Sequence, residues 1–119
     1  MRQRLLDTPA DRVTPELAKL VRAFCEPLDV INAAYVGLTE LTKDFHDPEE
    51  QLAVAFELAA PVAETDEGDR ELRIVADRFY ETMPEDVQDG GCNFLEEGGV
   101  AAWRDKARLV FSRGAAANP

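Results

Sequence analysis

Two apolar runs joined by a polar turn constrain this chain most. Residues 30–41, VINAAYVGLTEL, and 51–60, QLAVAFELAA, carry apolar side chains on both alternating faces, the pattern of buried strands. Between them TKDFHDPEE supplies turn chemistry, with Asp47-Pro48 as a turn starter. An antiparallel hairpin with a loop of about eight residues is expected. Leu52, Val54, Phe56 and Leu58 form the heavier face of the second strand, and Ala53, Ala55, Glu57 and Ala59 the lighter one. Small side chains there would let a helix, a second subunit or a partner pack closely.

Helical signals flank the hairpin. Thr14-Pro15-Glu16 combines a capping hydroxyl, a proline at the first helical position and an acid at the positive end of the helix. Leu17, Leu20, Val21, Phe24, Cys25 and Leu28 then recur at helical spacing, and Pro27 cannot continue the helix past about Cys25. Cys25 lies on this apolar stripe and reads as a core thiol. Residues 61–69 form a polar loop. Asp69 is expected to cap a second helix over 70–83, with Leu72, Val75, Ala76, Phe79, Tyr80 and Met83 on its inner stripe. A turn at 84–91, a short strand Cys92–Glu96, a helical turn at 99–106 carrying Val100 and Trp103, and a last strand Ala107–Ser112 complete the reading.

The resulting order is helix, strand, strand, helix, strand, short helix, strand. It predicts an α+β two-layer sandwich around a four-stranded mixed sheet. A single domain is expected over 1–113, with a flexible tail at 114–119. An uninterrupted apolar segment long enough for a signal peptide or a membrane span is not present, so a cytoplasmic protein of bacterial type is expected.

Charge narrows the partners. The net charge is −11, and residues 40–97 hold eighteen Asp or Glu against Lys43, Arg70, Arg73 and Arg78. Such a surface repels phosphate backbones and anionic lipid, so neither nucleic acid nor membrane is expected as a partner. A solvated acidic face that keeps the protein soluble is the plain reading. From 98 to 113 four cations, Arg104, Lys106, Arg108 and Arg113, face only Asp105.

GGCNFLEEGG at 90–99 is the segment that most resembles a site. A Cys92 nucleophile would need a base within reach, and His46, the one histidine, lies in the hairpin turn. The plain reading of His46 is an exposed turn residue beside Asp44 and Asp47. Glu96-Glu97 are adjacent, whereas paired carboxylate catalysis needs two acids held apart across a cleft; they read as turn carboxylates before Gly98-Gly99. A phosphate cradle lacks its glycine spacing and its lysine, and the acidic loops 44–50 and 64–69 do not match a calcium loop. Cys25, Cys92 and His46 are not spaced for zinc. No cofactor, metal or catalytic residue is therefore assigned. The gathering of Trp103 with Arg104, Lys106 and Arg108 is either core filling under the last strand or a binding patch.

The segments LLDTPADRVTPELAKLVRAF at 5–24, VINAAYVGL at 30–38, the QLAVAFEL strand, CNFLEEGGVAAW from 92 and the closing RLVFSR run in one order along nearly the whole chain. In that pattern the chain resembles the C-terminal domain of the enhanced-serine-sensitivity (SseB) family of bacterial proteins. The family usually closes on a Pro-Phe-Tyr strand, where this chain has Leu109-Val110-Phe111. The resemblance implies a small cytosolic α+β domain, linked to serine tolerance and used in interaction settings, without an established active site. The expected function is a non-enzymatic module that binds a protein partner or forms a homodimer. Trp103, Arg104, Glu57, Glu96 and Glu97 are its candidate interaction surface. The alternatives are a small-ligand sensor for an amino acid and an enzyme that depends on Cys92.

Overall fold

A computed structural model describes residues 2–58, 66–95 and 97–113, without the side chains of residues 97 and 98. The fold is α+β, with helices on a five-stranded mixed sheet. The strands are β1 (Arg2–Leu6), β2 (Ile31–Thr42), β3 (Glu49–Leu58), β4 (Cys92–Leu95) and β5 (Arg108–Ser112). The helices are α1 (Pro15–Cys25), α2 (Asp66–Thr82), α3 (Glu85–Gln88) and α4 (Glu97–Lys106), with a 3-10 turn at Ala10–Arg12. The expected tail at 114–119 lies outside the described residues.

The two apolar runs form the expected antiparallel hairpin, in register from Ala33 opposite Glu57 to Leu41 opposite Glu49, with Ile31 opposite Leu58 beyond a shift. β2 is the spine of the sheet. One of its sides pairs with β3, and the other is shared end to end: β1 pairs with Leu38–Thr42 and β5 with Ala33–Val36. The sheet is thus four strands wide but built from five, one more than the sequence pattern predicts. RQRLL escapes the pattern because it is short, charged and exposed along an edge, where pairing needs no buried alternation. β4 runs parallel to β3, which requires the long crossover that α2 and α3 supply.

Even-numbered positions of the hairpin face the main core. Ala34, Val36, Val54 and Phe56 meet Leu17, Val21, Phe24 and Cys25 of α1, Val75 and Phe79 of α2, and Val87 of α3. Phe24 stacks on Phe56 at 5.5 Å between centroids, and Phe79 meets both rings edge-on. A bulge after Ile31 lets that residue share the core with Ala34 despite its odd number. At the start of α1 the Thr14 hydroxyl accepts from Leu17 N–H (3.1 Å), as the capping sequence predicts.

α2 starts a turn earlier than predicted. Asp69 is therefore inside the helix, and Asp66, Glu67 and Asp69 all sit in a first turn where the helix dipole favours acids. Gly98-Gly99 are likewise inside α4 and not in a turn. Gly91 does turn sharply, with φ 83°. The larger difference concerns layers. α1, α2 and α3, the last formed within the turn expected at 84–91, cover one sheet face, while α4 crosses to the other. A Cβ on Gly37 would lie 2.7 Å from Trp103 Cζ3, 2.8 Å from Leu5 Cδ1 and 3.2 Å from Ala107 Cβ. Gly37 is the position on β2 where only hydrogen leaves room for the tryptophan.

Both open edges have backbone groups occupied by side chains. Arg22 Nε donates to Val110 O (2.8 Å) on β5, and the Tyr80 hydroxyl accepts from Cys92 N–H (3.3 Å) on β4. Such contacts make edge-to-edge strand pairing less available.

Candidate functional site

Two of the five predicted surface residues, Glu57 and Arg104, meet. Glu57 lies on the odd-numbered face of β3, and Arg104 and Trp103 come from α4 above it. Arg104 donates to Glu57 Oε1 (2.8 Å) and to the Tyr35 hydroxyl (3.2 Å), which in turn donates to Glu57 Oε2 (3.1 Å). This closed ring of three groups fastens α4 to the sheet. Burial pushes the Tyr35 phenol up, and hydrogen bonds to Tyr35 and Glu57 hold Arg104 more firmly protonated. Arg104 and Glu57 thus answer each other's charge within the fold. Glu96 lies outside the described residues; Glu97 opens α4, and its side chain is not described.

Tyr35 has no part in the sequence-based reading, yet its place was recoverable. The hairpin register sets it opposite Ala55, one side-chain repeat from Glu57 on the same face. The alanine face expected to receive a helix, a second subunit or a partner is already closed within the chain: Ala53 and Ala55 are fully buried, Gly90 sits so tightly on Ala53 that a Cβ there would lie 2.7 Å away, and Ala59 lies outside the described residues. That part of the partner expectation needs a different surface.

Cys92 sits beside Val54, five strand residues from Glu49 where the hairpin loop re-enters β3. At strand spacing that is roughly 17 Å, which leaves His46 on the loop far outside hydrogen-bond reach. Burial pushes the Cys92 thiol up to about 12 and the Cys25 thiol, sunk in the core, also to about 12. Both are neutral thiols at pH 7. Among the described residues no group of three or more His, Cys, Asp or Glu is placed to hold a metal. Nor is any helix there long and apolar enough to cross a membrane.

The hairpin tip is the feature that sequence reading missed. Lys43 O accepts from His46 N–H (3.1 Å), closing a turn whose third residue, Phe45, has φ 65°. Turns of this kind ordinarily place Gly or Asn there, because a bulky L-residue in the left-handed region costs roughly 1–2 kcal/mol. The Phe45 ring is also fully exposed. Leaving it in water forgoes about 1.5–3 kcal/mol that burial would supply. The sequence signal was a lone aromatic in an otherwise polar turn.

Around it acids outnumber cations, with Lys43 the one cationic side chain of the turn. Asp44, Asp47, Glu49 and Glu50 are all exposed. Glu40 and Glu50 lie directly across the hairpin from each other, a repulsive pairing relieved by Arg4 (3.3 Å from Glu40) and Arg12 (3.9 Å from Glu50). Asp44, Asp47 and Glu49 have no ion-pair partner among the described residues. Comparison of the chain with protein-family models, curated proteins and solved structures finds no match.

Proposed function

We propose that this chain is a non-enzymatic, cytoplasmic protein-interaction domain that docks through the tip of its β2–β3 hairpin. The observation that carries the reading is Phe45, fully exposed in a left-handed backbone amid acids. An exposed aromatic on a projecting turn is the shape of an interface anchor. The acids around it select the rim of the receiving pocket. The partner is a protein with an apolar pocket for one ring, bordered by Lys or Arg, and the acids steer the encounter.

A second copy of the chain fits this description poorly. Its own apolar groove between α1 and α3, lined by Leu17, Leu20, Leu52 and Val87, carries Glu16 and Asp86 at its rim against Arg12. Kinship with the C-terminal domain of the SseB family belongs to the same proposal, supported by the order of the sequence segments quoted above.

The test is Phe45→Gly, which removes the ring and relieves the backbone at once. Its melting temperature should equal or exceed that of the wild type, since glycine accepts a positive φ. Capture from a native cell extract, followed by identification of the retained proteins, should show a partner that the variant loses and that rising salt releases from the wild type. Equal retention by Phe45→Gly, or no specific retention by the wild type, overturns the reading. A concentration-dependent dimer lost in the variant would overturn the choice of a foreign partner.

A further inference from the structure

On the sheet face covered by α4, a cleft of about 410 Å³ opens between β1, β4 and the Trp103 ring. That size lies within the range of small-molecule sites. Leu5, Leu95 and Trp103 supply apolar walls, and Gln3, Thr39 and Asn93 supply polar groups. Charged side chains are missing from the described lining, although 31% of the chain is Asp, Glu, Lys or Arg. Ionic ligands, amino acid zwitterions and phosphates among them, would lose hydration there without a counter-charge.

The polar groups share a bias. Gln3 Nε2 donates to Gly90 O (3.0 Å), and Asn93 Nδ2 donates to Val54 O (3.0 Å), Gly91 O (3.0 Å) and Gly90 O (3.2 Å). Thr39 Oγ1 spends its proton on Gln51 O (2.8 Å). The Asn93 and Thr39 donors are thus committed to the backbone, and Gln3 spends one of its two N–H groups there, which fixes the orientation of both carboxamides. Thr39 is buried, and two acceptors remain, Gln3 Oε1 and Asn93 Oδ1, with no protein donor among the described residues. A ligand that satisfies these two acceptors must bring the hydrogens, and it can accept one from Gln3 in return. Trp103, held against Gly37 and beside the Arg104 ring of hydrogen bonds, offers a fixed aromatic surface for stacking.

We propose that this cleft binds a small, flat, uncharged molecule that donates hydrogen bonds, a nitrogen heterocycle of nucleobase to nucleoside size, stacked on Trp103 with its N–H groups directed at Gln3 and Asn93. The cleft shares no residue with the hairpin tip, so each reading stands or falls alone. Trp103 is the sole tryptophan, and its emission reports the site directly. Adenine, adenosine, uracil and uridine are titrated against the intact chain, with adenosine monophosphate and serine as charged counterparts.

At least one base or nucleoside should give a saturable change in Trp103 emission and raise the melting temperature. The charged counterparts should bind at least about tenfold more weakly. Gln3→Ala, at an exposed edge position, should keep its melting temperature and bind the same compound on the order of 3–10-fold more weakly. The proposal is overturned if no base or nucleoside gives saturation. Equal binding of the charged counterparts, or unchanged affinity in a folded Gln3→Ala, overturns it as well.

Discussion

Replacing Gly37 with alanine tests whether α4 is seated as tightly as the geometry requires. The added methyl would stand 2.7 Å from Trp103 Cζ3 and 2.8 Å from Leu5 Cδ1, with Ala107 Cβ at 3.2 Å. Ordinary contact begins near 3.4 Å. Leu5 can rotate away. The indole is rigid, so relief by that side means lifting Trp103, and α4 with it, by several tenths of an ångström. Overpacking of this kind costs about 1–3 kcal/mol. Loss of glycine's freedom in the unfolded chain returns about 0.4–1 kcal/mol, leaving a net loss of roughly 1–2 kcal/mol. At about 2.1 cal/mol/K per residue, the 119 residues give an unfolding entropy near 0.25 kcal/mol/K. The melting temperature should therefore fall by about 4–8 °C. Emission of the single tryptophan should shift to the red as its ring gains water. In a Trp103→Leu background the same substitution should cost less, since the two sites share one contact. A rise in melting temperature with unchanged emission would refute the reasoning, because it would mean that space exists where the structure shows none.

Arg113 closes the C-terminal end of α1 and the turn after it, donating to Cys25 O (2.9 Å), Ile31 O (3.2 Å), Glu26 O (3.3 Å) and Leu28 O (3.3 Å). Arg113→Ala should cost about 1.5–3 kcal/mol in urea unfolding, and Arg113→Lys should recover less than half, because one ammonium cannot span a planar fork. A loss within about 0.5 kcal/mol of zero would contradict that role. Burial raises the Cys25 and Cys92 thiols from 9.0 to about 12, so the native state keeps protons that the unfolded chain releases. Their stabilising contribution is full below pH 9 and is lost as pH rises toward 12; Tyr35, also raised, acts in the same sense. Melting temperature followed across that window should fall, less steeply in Cys92→Ser. A flat profile would count against the burial of both thiols.

The sequence by itself determined the hairpin, the capped first helix, the inner stripe of α2 apart from Tyr80, which is exposed at the stripe's margin with its hydroxyl on Cys92 N–H, and the α+β class. Each rests on contacts within a few residues: alternation along β2 and β3, Thr14 capping Leu17, helical spacing from Leu17 to Cys25. The double-sided apolar pattern of residues 30–41 already carried the requirement for cover on both faces. Only the tertiary structure decided what provides it. β1 finds its partner 36 residues away, with Arg4 opposite Glu40, and no local signal in RQRLL specifies that pairing. Trp103 reads as core filling or as a binding patch, and Arg104 as a surface cation, until α4 is laid across Gly37, where the indole fills space and the guanidinium is tied to Tyr35 and Glu57. Of the predicted interaction residues, Glu57 and Arg104 are tied to each other, with the Arg104 side chain still largely exposed, while an unremarked phenylalanine in the hairpin turn stands fully exposed. Burial of a side chain depends on what crosses over it, and that is set by register and packing between distant segments, beyond the reach of any local pattern.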